Sequence, residues 1–440
     1  MPKLSRSASY EFRRVIHFLC WESVFAVAFE AWMSPALLSG LAGQLHLKVE
    51  YLSWIAAIPW IGSVGQILGV VAFQRSRSVK TYVLTLAALG RLIWFLPLVA
   101  AGFWVSKSWV SQVQADGASV GKSLEFPVLS WLFLVAVCSC FSSLFNAASM
   151  NAWMVWVRHL LPMKFQGRFF GYRQRFTTAA IILANFFAAL FVDWTHHGYY
   201  LGLVLLCVAA LVCGGVSLAL NAKVRDVEAE SLPMQQARSI GETLKEPFFD
   251  PHFRSFLIFG ALFNGILQLA SSYYPYYFTK ALGLPLRSLM IWTALASLGC
   301  FFASNFWGRR VDQTGLPYRV LGLNALGIAV SPVLYALGGV SWVQWMAPFE
   351  YLLSGLVWAG FLLAQTKILF RLSPSSHASA TYFSVYATLS GLSGGVFTFL
   401  GGMLIHFFEL HHQFPLFWVL ATVLRLLVLA LFYPLLSNPP

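Results

Sequence analysis

Polar residues that could do chemistry recur in this chain at helical spacing. Glu22, Ala26, Glu30 and Ser34 follow at intervals of four, which sets two carboxylates along nearly one face of an otherwise apolar helix. Further along come Ser139, Ser142, Ser143, Asn146 and Met150, then Asn264, Gln268, Ser271 and Ser272, then Glu350, Ser354, Trp358 and Gln365. Carboxylates exchange protons, while amides, hydroxyls and aromatic faces hold neutral polar solutes. A charge at a bilayer centre costs roughly 2.5–3.5 kcal/mol, so such faces should line a water-filled cavity or meet one another.

Glu30 lies about 15 residues into the first apolar run and Arg91 about 10 into the third, similar depths at 1.5 Å per residue. A pair would neutralise both charges. It would be either a structural ion pair or a coupling device, since loss of water favours the protonated form of a carboxyl. The coupling set read from the sequence is Glu22, Glu30 and Arg91. The run Tyr273-Tyr274-Pro275-Tyr276-Tyr277 predicts a kink, because proline removes one backbone donor, and tyrosines at a break can gate or stack on a ring. A membrane-interface aromatic belt accounts for two of the four equally well. The expected substrate-binding set is Glu30, Ser34, Ser143, Asn146, Asn264, Gln268, Tyr273, Tyr274, Glu350 and Trp358. Such a lining favours a hydroxyl-bearing or zwitterionic solute over a large apolar cation.

Histidine offers a rival chemistry. His196 and His197 beside Asp193, and His406, His411 and His412 around Glu409, have spacings that could bind a divalent metal or report pH. Adjacent histidines do not easily turn to one ion, so no metal site is assigned. Catalytic patterns are missing: there is no HExxH and no GxSxG, and Gly121-Lys122-Ser123 lacks the glycine, strand and helix of a phosphate-binding loop. The expectation is a protein without enzymatic activity or cofactor, drawing on a gradient, with a small-molecule substrate, a proton and membrane lipids as partners. A divalent-metal transporter, or a membrane sensor or scaffold that moves nothing, are the alternatives.

The elements that must position these residues are membrane spans. Hydrophobic residues make up 58% of the 440 and charged residues 10%, and apolar runs near the roughly 20 residues needed to cross hydrocarbon recur from end to end. Twelve spans are predicted, at 15–38, 51–73, 81–105, 128–157, 174–193, 199–220, 254–278, 288–306, 319–339, 342–370, 381–406 and 415–436. The first is too long and too polar for a cleaved signal segment. All six cysteines fall inside apolar runs, so no disulfide framework is implied. With the N-terminus inside, 22 of the 29 Lys and Arg residues fall in cytoplasmic segments, which predicts both termini in the cytoplasm. The same distribution explains the net charge of +13 through anionic inner-leaflet lipid, and the scatter of basic residues over many loops argues against nucleic acid.

Residues 221–253 break the apolar texture with acids, bases and three prolines and divide the spans six and six: a bundle over 1–220, a cytoplasmic linker and a bundle over 254–440. A repeat agrees. Val83–Gly90 matches Val320–Gly327 at six of eight positions at an offset of 237, and Leu160-Leu161-Pro162 parallels Leu372-Ser373-Pro374 at an offset of 212.

The loop Gly308-Arg309-Arg310-Val311-Asp312-Gln313-Thr314-Gly315 resembles the signature Gly-x-x-x-Asp-x-x-Gly that follows the second span of each half in the major facilitator superfamily of secondary transporters. Its first-half counterpart, Gly69 to Lys80, has Arg75 at the acidic position and Ser78 at the second glycine. The segment Trp156 to Arg175, with its Gly-Arg-Phe-Phe-Gly-x-Arg, is similar to a loop of a bacterial branch. The resemblance implies an all-α membrane protein of twelve helices in two six-helix bundles, in a bacterial inner membrane. It also implies a monomer that works by alternating access, with helices one, four, seven and ten around a central cavity. Gating residues carried by the motif are Gly308, Arg309, Arg310, Asp312 and Gly315.

Overall fold

The computed structural model describes residues 6–33, 49–73, 78–106, 120–160, 163–194, 199–226, 240–314, 317–373 and 379–434. Helices carry nearly all of them, as they must where hydrocarbon offers backbone groups no partner. The first half comprises α1 (Arg6–Trp32), α2 (Val49–Ile61, continued through a 3-10 turn as Gly65–Phe73), α3 (Val79–Leu92, resumed as Phe95–Ser106), α4 (Val120–Leu160), α5 (Met163–Trp194) and α6 (Tyr199–Ala222). A short linker helix, Ile240–Phe249, leads into the second half. There follow α7 (Pro251–Ser271, then Tyr274–Tyr276 and a π-turn at Tyr277–Ala281), α8 (Leu286–Thr314), α9 (Pro317–Val330 with a 3-10 turn at Ser331–Tyr335), α10 (Val340–Leu372), α11 (Ser379–Leu410) and α12 (Phe414–Leu431).

Among the described residues, eleven of these long segments are apolar enough to cross a membrane. The other, α5, has ample length at 32 residues but opens with Lys164, Arg168, Arg173 and Arg175, which lower its hydropathy. The breaks have a local cause. Proline cannot donate to the carbonyl four residues back, and α3 breaks just after Leu92, before Pro97, while α7 ends at Ser271, four residues before Pro275.

Packing repeats between the halves. In the first, α1 packs on α5 and α6, and α4 on α2 and α3; in the second, α7 packs on α11 and α12, and α10 on α8 and α9. The halves meet where α2 lies along α11 and α5 along α8. Gly62 of α2 sits so close to α4 that a Cβ would fall 2.6 Å from the Cys140 carbonyl, and Gly299 of α8 sits so close to α10 that one would fall 2.2 Å from that of Leu352. The two glycines are 237 residues apart and the two carbonyls 212, the same two offsets the sequence repeat shows. Gly90 and Gly327, which end that repeat, likewise face α4 and α10.

The core is arranged unevenly along the membrane normal. At the end where α1 begins and α12 finishes, the terminal end, each half has its own apolar cluster: Leu19, Val79, Trp153 and Trp156 in the first, Phe253, Phe256, Tyr318 and Tyr382 in the second. At the opposite end one cluster joins both halves, with Phe29, Leu52, Ile55 and Trp94 in continuous contact with Tyr273, Phe278, Ile405 and Trp418. Among the described residues, one core seals the far end and two separate cores stand at the terminal end.

Candidate functional site

The first half holds a buried polar chain that crosses four helices. Arg91 of α3 donates to its own helix at the Ala87 carbonyl (3.0 Å) and to the Ser217 hydroxyl of α6 (3.0 Å). Ser217 in turn donates to Glu22 of α1 (3.1 Å), and the other Glu22 oxygen lies 3.6 Å from Arg173 of α5. The Arg173 guanidinium rests on the Trp153 ring of α4 at 4.6 Å, and that of Arg91 lies 5.7 Å from the Phe29 ring centroid. Gly214 leaves room for this, since a Cβ there would stand 3.0 Å from the Arg91 side chain.

Glu30 is placed differently. It is solvent-accessible and makes no hydrogen bond or ion pair with another described residue, while the charges that act on it are Arg91 first, then Glu22 and Arg173. A charge exposed to hydrocarbon is costly, which is the physical argument for an aqueous surrounding at Glu30. Arg91 therefore sits in Glu30's field without closing the direct pair expected from depth. Ser34 lies outside the described residues.

A second group forms across the two halves. Around the missing side chain of Gly394 in α11 stand the Asn264 amide nitrogen (3.2 Å from the ideal Cβ position), the Trp60 ring (3.2 Å) and the Gln268 stem (3.4 Å). Trp60 belongs to α2 and the amides to α7, so both bundles contribute. Asn264 uses its nitrogen on the Ser390 carbonyl at 2.8 Å, which fixes the amide so that its oxygen is the open acceptor. Gln268 has a long contact from the Ser272 hydroxyl to its oxygen (3.5 Å), leaving its NH2 as an open donor one helical turn away. All three side chains are half-buried. An aromatic face beside one acceptor and one donor suits a flat or ring-shaped solute that carries the complementary pair.

Other expected site residues sit elsewhere. Tyr273 is fully buried and donates to the Thr398 carbonyl (2.6 Å), fastening α7 to α11. Tyr274 stacks on Trp418 of α12 (4.9 Å). Glu350, 9% exposed, accepts from the Tyr335 hydroxyl (2.6 Å) with Arg425 among the charges acting on it. Arg425 stands in for a missing backbone donor. Pro332 cannot donate to the Ile328 carbonyl, and Arg425 does so at 3.1 Å while its other nitrogen reaches Leu267 and Ser271 of α7. These groups hold α7, α9, α10 and α12 together. Ser143 and Asn146 are half-buried on α4, against Gly62 and Gly90. Trp358 meets Phe361 edge-on, and Gln365 donates to the Tyr386 hydroxyl (2.6 Å).

Of the motif residues, Gly308 and the exposed Arg309 and Arg310 lie near the end of α8, with Arg310 over the Phe306 ring at 5.3 Å. Gly315 and the Asp312 side chain fall outside the described residues. So do His196 and His197. Glu409 pairs with Lys280 at 2.7 Å, and His411 turns to its own backbone at Phe407. Among the described residues no three potential metal ligands converge.

The sequence profile of the Major Facilitator Superfamily matches residues 21–398. Among curated proteins none matches the chain by sequence. Among solved structures, a variant of the nucleoside transporter NupG superposes with a TM-score of 0.72 at 12% identity, covering 96% of this chain and 100% of its own. A bacterial homologue of the iron transporter ferroportin in an inward-facing state gives 0.68 at 15% identity, covering 99% and 100%. The xylose transporter XylE from E. coli, in a partially occluded inward-open conformation, gives 0.60 at 15% identity, covering 98% and 100%.

Proposed function

Since the chain belongs to the Major Facilitator Superfamily, we propose that this membrane transporter is a secondary active carrier of a small neutral polar solute built on a ring, of the nucleoside or sugar type. The observation that carries this reading is the convergence of Trp60 with Asn264 and Gln268 around Gly394. Stacking on an aromatic face contributes about 0.5–1.5 kcal/mol beyond area burial, and each open amide group left unpaired on closure costs about 1–3 kcal/mol. A ring with a donor and an acceptor on one edge meets all three demands at once. Because the cradle draws residues from both bundles, rocking one against the other takes it apart, as alternating access requires.

A proton is the coupling ion in this reading. Among the described residues of the first half's helices Glu30 is the exposed carboxylate, and the polar chain from Arg91 to Arg173 includes the charges that act on it. The concentration of basic residues at the terminal end supports a cytoplasmic location for it; in this reading the divided core is an inward-open state with Asp312 and its arginines at the parted end. The nucleoside and xylose transporters share the fold, and their printed substrates are compatible with the ring-shaped class.

The test is a stability screen of purified protein against nucleosides, sugars, amino acids and divalent cations. A ring-bearing polar solute should raise the melting temperature, and Asn264→Ala or Gln268→Ala should weaken its binding about tenfold, roughly 1.4 kcal/mol. Stabilisation by a divalent cation alone, unaffected by either substitution, would replace the reading with metal transport.

A further inference from the structure

The linker helix presents two unlike faces. Lys245, Phe248 and Phe249 follow at i, i+3 and i+4, and all three are exposed, Phe249 to 77%. Glu246, Pro247 and Asp250 are buried or half-buried on the other side, where the helix packs on α7 and α11 and the two carboxylates come within electrostatic reach of the Tyr382 hydroxyl. Asp250 also accepts from the backbone amides of His252 and Phe253, capping α7 and fixing the corner between the two helices. Just past that corner, His252 and Arg254 are exposed. Glu246 and Asp250 thus turn toward protein, and the aromatic pair turns outward with Lys245 on one side and His252 and Arg254 past the corner.

Depth follows from length. The membrane segment that begins at Pro251 runs to Ala281, 31 residues with a break after Ser271, well over the roughly 20 that cross hydrocarbon, so its ends reach the headgroups. Phe248 and Phe249 precede that segment by three and two residues, which sets them near the headgroups. An apolar face flanked by bases at that depth fits the boundary between headgroups and acyl chains, with the bases facing anionic phosphate.

We propose that the linker helix is an interfacial anchor: Phe248 and Phe249 enter the leaflet on the side of the chain termini, and Lys245 with Arg254 holds anionic headgroups. The anchored helix is tied by Asp250 to the start of α7, which contributes two of the three cradle residues, so leaflet composition acts on the element that moves. The membrane contact itself stands apart from the substrate assignment, and its test involves no transport.

A single spin label at Phe249→Cys, in a cysteine-free full-length background reconstituted into vesicles, reports depth through its relative collision with oxygen and with a water-soluble nickel chelate. In vesicles with one-third phosphatidylglycerol the label should favour oxygen, and Lys245→Glu combined with Arg254→Glu should move it toward water while a label at Arg309→Cys stays unchanged. In pure phosphatidylcholine the label should sit shallower. A label at 249 equally open to the nickel chelate in both vesicle types would overturn the anchor, and unchanged depth in the doubly acidic variant would overturn the role of the two bases.

Discussion

Glu22 and Glu30 share one helix face and have different surroundings. Glu22 is held by Ser217 and Arg173, and Ser217 is fully buried between Glu22 and Arg91. Ser217→Ala should leave two buried charged groups each short of a hydrogen bond and lower stability by about 1–3 kcal/mol. Thermal unfolding should show that loss while ligand-induced stabilisation keeps its size. Glu30 has no such neighbours, so Glu30→Gln should leave the fold intact. Proteoliposomes of that variant should still exchange substrate but fail to accumulate it against a gradient; accumulation at the wild-type rate would remove Glu30 from coupling. The stripe Glu22–Glu30 was legible in the sequence because spacing alone defines a helix face. Trp60 was not, because one aromatic residue in an apolar run carries no periodic signal and its importance depends on a glycine in a helix more than 330 residues away. Tyr273 and Glu350 show the converse: a polar residue in a span need not face the cavity, and these two fasten helices to one another.

At the scale of elements, glycines that look alike in the sequence divide into two groups. Gly62, Gly65 and Gly69 press α2 onto α4 within one bundle, and a Cβ at Gly65 would fall 2.1 Å from the Leu144 carbonyl. Gly391, Gly394, Gly395 and Gly402 face α2 from α11, across the contact between the halves, and a Cβ at Gly402 would fall 2.1 Å from that of Ser53. The first contact must persist in every state of the transporter, the second must not. Gly65→Ala should therefore lower stability whatever the state. Gly402→Ala should instead disfavour the sealed far end and shift the population outward-open, read as increased labelling of cysteines lining the far half of the cavity, while the Tyr273 hydroxyl, 2.6 Å from that Cβ, makes some loss of melting temperature part of the expected result. The break of α7 was legible in Pro275, whereas the π-turn that follows it at Tyr277–Ala281 was not. The tight seams were not, since glycine is common in membrane helices and only the packing distinguishes its uses.

For the whole molecule, the asymmetry of the core is the central observation. One apolar cluster joins the halves at the far end, and two separate clusters face each other at the terminal end. A repeat at two offsets announced the two halves, whereas their present tilt depends on the balance of two interfaces that the sequence does not rank. The most direct test places pairs of spin labels across the halves, at Lys223 and Arg371 for the terminal end and at Ser130 and Gln413 for the far end, and measures both distance distributions by pulsed electron resonance in lipid. Each pair should show two populations whose weights move in opposite directions when a stabilising ring-bearing solute is added or when Gly402 is changed to alanine. A single narrow distance at both ends, unmoved by either, would contradict alternating access in this protein.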